Sequence, residues 1–174
     1  IYFNNGGDKE KILSVEQWGT NEWGSMVSAF SGASNVVVNA TDTPDLTSAQ
    51  YLTEMFKEAT SVGGGTGNWN WDTSNITDMG TMFMSSPFSQ DIGSWDTTNV
   101  TDMRAMFLRT PFDSDISKWD VSNVIILAGM FQESSFNKDI SNWDVSNVNS
   151  MYSTFNGSLF NQDIGSWDVS NVTD

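Results

Sequence analysis

The sequence predicts an α/β stack of parallel rungs: a right-handed solenoid with a parallel sheet on one side and short helices on the other. Trp-Asp steps at Trp71, Trp95, Trp119, Trp143 and Trp167 recur every 24 residues without a gap, which is the mark of a solenoid. Apolar side chains keep the same places in every unit. Turn-forming polar residues keep the places between them.

The unit Trp95–Lys118 shows the pattern best. Counting its Trp as position 0, apolar residues fall at 0, 2, 5, 8, 11, 12, 17 and 21. Positions 0 and 2 alternate as in a short strand. Positions 5, 8 and 12 have the spacing that lines one face of a helix. Between strand and helix lies Asp-x-Ser/Thr-Asn, whose side chains bond nearby backbone N–H groups. Asn75 with Asp78 and Asn99 with Asp102 read as capping boxes. A lone unit has too few apolar side chains to offset the entropy of ordering its backbone. Stacking covers both flat faces of each unit, and the helical spacing argues against a pure parallel β-helix.

The run ISNWDVSNVNSMYSTF, Ile140–Phe155, resembles the BspA-like leucine-rich repeats. FNQDIGSWDVSNVTD, Phe160–Asp174, is more closely similar to a bacterial surface-repeat family of unknown function, found in mycoplasma lipoproteins and wall-anchored proteins. This resemblance implies a secreted or surface-displayed, leucine-rich-repeat-like solenoid. It carries over no catalytic residue.

Residues 1–17 read as an N-terminal cap, a hairpin or strand pair around the Gly6-Gly7-Asp8 turn. Two degenerate repeats occupy 18–70, with Trp18 and Pro44 at position 0. Val36-Val37-Val38 is expected to be a buried strand. Gly63–Gly67 lacks the Lys-Ser/Thr of a phosphate-binding loop and reads as a structural return loop. The regular units fill 71–174, the last one truncated, for about seven rungs in one continuous domain at roughly 4.8 Å per rung.

The chain has no Cys and no His, which removes disulfides, thiol chemistry and the commonest general base. Its 7 basic and 22 acidic residues give a net charge of −15, which argues against nucleic acid and anionic lipid as partners. No apolar run is long enough to span a membrane. The chain reads as a fragment of a longer exported protein.

Asp45, Asp72, Asp96, Asp120, Asp144 and Asp168 occupy position 1, which points outward between the inward 0 and 2. Stacked carboxylates repel by about 1 kcal/mol in water. They therefore call for bound cations, a basic partner, or hydrogen bonds from the backbone N–H two residues on. A second row, Asp91, Asp115, Asp139 and Asp163, precedes the buried Ile and reads as turn-forming. The Trp and Phe rows read as core. Ile125 and Ile126 break the pattern by replacing Thr-Asp at an outward position near Arg104 and Arg109. They mark either a partner contact or a contact with the adjacent unit.

These readings point to an extracellular recognition or adhesion module for a protein or glycan partner. A passive spacer and a calcium-binding repeat are the alternatives. No enzyme is expected, because no unique convergent polar cluster is present. The uncapped Trp167, Val169 and Val172 would favour end-to-end association.

Overall fold

The structure is a computed structural model that describes residues 2–174. Successive units lie against one another and are joined by backbone hydrogen bonds with a strict alternation. Met79, Thr81, Phe83 and Ser85 donate their N–H groups to the carbonyls of Asp102, Arg104, Met106 and Leu108 in the next unit, at 3.0, 2.7, 3.1 and 2.8 Å. The residues between them turn back on their own unit. Met82 donates to Met79, Met84 to Thr81 and Ser86 to Phe83. The two following units repeat both sets, from Met103 to Arg109 and from Leu127 to Glu133.

This alternation needs a backbone reversal twice per unit. Thr81 and Ser85 have φ of 55° and 56°, Ala105 and Arg109 of 49° and 57°, Gly129 and Glu133 of 66° and 53°. The left-handed region disfavours L-residues. It is held here by bonds on both sides of each reversed residue.

The α/β leucine-rich-repeat-like right-handed solenoid, with a parallel sheet on one side and short helices on the other, is therefore not what forms. The described residues contain two strands, β1 (Ser14–Val15) and β2 (Val37–Val38), paired in parallel as Ser14↔Val37 and Val15↔Val38. The only helices among them are single 3-10 turns at Lys9–Lys11 and Val62–Gly64. The 3–4 spacing of apolar residues arises from consecutive three-residue turns, and half of the donors a helix would need point to the next unit. At positions 0 to 5 the expected strand fails because its donors are spent locally. Trp95 N–H goes to Ile92, Ser74 N–H to the Asp72 side chain and Ile76 N–H to Thr73. Outside β1 and β2 the parallel pairing is confined to isolated bridges, Glu22 with Asp45 and, at position 7, Tyr51, Asp78, Asp102, Ile126 and Ser150 in succession.

Equivalent aromatic side chains form two files through the core. Phe30, Phe56, Phe83, Phe107, Phe131 and Phe155 stack with ring centroids 5.3 to 6.0 Å apart. Phe88, Phe112, Phe136 and Phe160 stack at 6.1 to 6.2 Å. The files touch within each unit, as between Phe83 and Phe88 at 3.7 Å. Each indole in the regular units is tied down as well. Trp119, Trp143 and Trp167 donate Nε1–H to the carbonyls of Ile92, Ile116 and Ile140, 27 residues back. Trp18 stands in the first unit, where no such carbonyl meets it, and its buried Nε1 has no partner among the described residues.

Residues 3 to 5 cover the first unit. Phe3 and Asn5 donate to the carbonyls of Ala29 and Ser31 at 3.3 and 3.0 Å, as a preceding unit would. The expected hairpin within 1–17 is replaced by β1 pairing with β2, and the part of that expectation on Ile1 lies outside the described residues. Val36 and Val38 are fully buried. The glycine run is structural. A Cβ on Gly65 would lie 2.0 Å from the Val38 carbonyl oxygen, and one on Gly63 2.2 Å from that of Pro87. Only a bare backbone can lie this close.

Gly129 tests the reversed backbone directly, because a Cβ there meets nothing closer than 3.5 Å. Gly129→Val is expected to cost about 1–2 kcal/mol, a fall of roughly 2–8 °C in Tm. Gly129→Asn, which tolerates positive φ, should lose less. Paired thermal melts decide it.

Candidate functional site

The Asp row at position 1 faces outward, and each of its carboxylates is engaged by its own turn. Asp72, Asp96, Asp120, Asp144 and Asp168 accept the N–H of Ser74, Thr98, Ser122, Ser146 and Ser170 at 2.9 to 3.1 Å. Asp45 accepts from Thr47 in the same way at 3.1 Å. The hydroxyl of Ser122 and then its N–H hold the Asp120 carboxyl below the usual carboxylate range. Asp45, Asp72 and Asp144 are lowered in the same order of causes, and Asp168 chiefly by the Ser170 N–H. Repulsion between stacked carboxylates exists but ranks last. Asp144 pushes Asp120 up and Asp168 pushes Asp144 up, each by less than the turn's hydrogen bonds lower it.

The second Asp row behaves alike. Asp91, Asp115, Asp139 and Asp163 accept from Gly93, Ser117, Ser141 and Gly165 at 2.8 to 2.9 Å. Among the described residues no three carboxylates converge as a bound metal would require.

Asn75, Asn99, Asn123 and Asn147 cap no helix. Their Nδ2 groups reach the preceding unit and donate to the carbonyls of Thr47, Ser74, Thr98 and Ser122, the last three at 2.7 Å. Asn99, Asn123 and Asn147 line a groove of about 620 Å³ with Thr101, Ile125 and Asn149. Sequence reasoning assigned these amides to helix starts. The missed signal is an Asn repeated at an outward position between the inward 2 and 5.

Ile125 and Ile126 part company. Ile125 is 41% exposed and stands in the groove, where the equivalent residues are Thr77, Thr101 and Asn149. Ile126 is half-buried and bridges Asp102 and Ser150. Arg104 pairs with Asp102 of its own unit, and Arg109 with Glu133 of the next at 2.8 Å. Tyr152 and Leu159 are exposed further along, at 69% and 67%.

At the last unit, the Met151 N–H is taken by the Asp174 carboxylate at 2.8 Å, in place of the carbonyl that serves earlier units. Phe155, Ile164, Trp167 and Val169 line a hollow of about 490 Å³ beside it.

The Asp turns carry a pH dependence. The carboxyls of Asp45, Asp72, Asp115, Asp120, Asp139, Asp144 and Asp168 titrate lower when folded, so their stabilisation is complete above the unfolded value of about 4 and is lost as pH falls through the folded values. Tm is expected to hold from pH 7 to pH 5 and fall below about pH 4. Asp120→Asn keeps the turn acceptor, so it should melt near wild type at pH 7 and lose less in acid.

No curated protein and no solved structure matches the chain. One family does, over residues 6–86, 24–135, 52–158 and 109–174, so that almost the whole chain is covered. The chain belongs to the family described as Mycoplasma protein of unknown function, DUF285.

Proposed function

We propose that this chain is a recognition module of a secreted or cell-surface protein. It contacts a protein or glycan partner through the outward face of its stacked units, with Ile125 at the centre of the contact. The observation that carries the reading is the break in the pattern. Ile125 is an exposed isoleucine where the equivalent positions hold Thr77, Thr101 and Asn149. An apolar side chain set among polar groups in a groove gives a partner one place to tell from the rest of the repeat. The surrounding rows are saturated by their own turns and present a rigid surface, which lowers the entropy lost on association. Membership of a repeat family described from Mycoplasma is in keeping with surface display.

Beads coated with the chain should bind cultured epithelial cells saturably, and free chain should compete. Ile125→Glu is expected to reduce bead binding at least tenfold while leaving the thermal melt unchanged. Binding that never saturates, or that Ile125→Glu leaves intact, would overturn the reading.

A further inference from the structure

We propose that the groove beside Ile125 takes a neutral glycan chain; this rests on the recognition reading above and names the partner's chemistry. The Asn99, Asn123 and Asn147 amides have only one possible orientation, because the partner of each is a backbone carbonyl, which accepts and cannot donate. Each Nδ2 therefore faces the preceding unit. Each Oδ1 is left without an intramolecular donor among the described residues, and all three Asn residues line the groove. The result is a file of hydrogen-bond acceptors, one per unit, already pinned in place.

The chemistry of an occupant follows. It must supply donors at regular intervals along an extended chain. The groove lining of Asn99, Thr101, Asn123, Ile125, Asn147 and Asn149 contains no charged group. A cationic peptide would leave its charge unanswered there and would find better partners on the exposed Asp rows. An anionic glycan would meet a chain of net charge −15. Sugar hydroxyls meet the requirement, since every residue of a neutral polysaccharide offers O–H donors, and its apolar C–H face suits Ile125. Polar groups that orient a ligand, set beside one apolar contact, are the usual division of labour in a binding groove.

A printed array of neutral and acidic glycans, probed with the labelled chain, tests this, with decalysine titrated separately. The expected result is saturable binding to a neutral class. Affinity should stay unchanged in 500 mM NaCl, and the side-chain amide resonances of Asn99, Asn123 and Asn147 should shift on titration with the best array ligand. Ile125→Arg and Thr101→Arg, both at exposed positions, should each weaken binding at least tenfold with unaltered melting curves. Absence of neutral glycan binding would overturn the proposal, as would binding that survives both variants or binding only to decalysine that salt abolishes. If cells are bound through Ile125 while no neutral glycan is, this inference fails and the recognition reading stands. If neither is bound, both fail.

Discussion

Between positions 8 and 15 of each unit, backbone N–H groups alternate between two kinds of acceptor, and the rest of the structure depends on that division. Donors such as Met103, Ala105, Phe107 and Arg109 reach the next unit, while Met106, Leu108 and Thr110 close turns within their own. A helix would satisfy all of these donors internally and leave neighbouring units joined by side chains alone. An extended strand would send alternate donors to each neighbour but could not curl tightly enough to bring Met106, Phe107 and Phe112 into one core. The observed path does both. Its cost is two left-handed residues per unit, most of which are not glycine.

The aromatic files follow from this. Once successive units are held one hydrogen bond apart, Phe107 has nowhere to sit except over Phe83 and under Phe131, at 6.0 and 5.9 Å. Rings at that distance retain offset stacking and exclude water. The indoles add a polar tie along the stack, since each Nε1–H of the later units bonds the Ile carbonyl 27 residues back.

The outer face obeys a different rule. Asp side chains bond within their own turn, whereas Asn side chains bond to the unit before. The first arrangement offsets the crowding of a row of carboxylates: for Asp120 and Asp144, hydrogen bonds outweigh the repulsion of the neighbouring charge. The second turns a repeated, exposed amide into a structural tie whose oxygen has no intramolecular donor among the described residues. Ile125 interrupts this polar face at one place, which makes that place distinguishable to a partner.

Sequence periodicity by itself determined the length of the unit, the inward placement of its Trp, Val, Met and Phe residues, the family resemblance and the turn-forming role of the second Asp row, while leaving the first row open between ligands and turns. It also singled out Ile125 and Ile126 together, of which only Ile125 is exposed. It misassigned the local structure, reading the spacing of positions 5, 8 and 12 as a helix and the Asn of the Ser/Thr-Asn pair as its cap. Both errors have one origin. A three-residue turn and a helical turn place apolar side chains at nearly the same intervals, so the pattern of burial is blind to where the N–H groups point. Only the neighbouring unit, offering carbonyls at Ile126, Ala128, Met130 and Gln132, decided that they point outward along the stack, and with that decided which face the Asn groove lines.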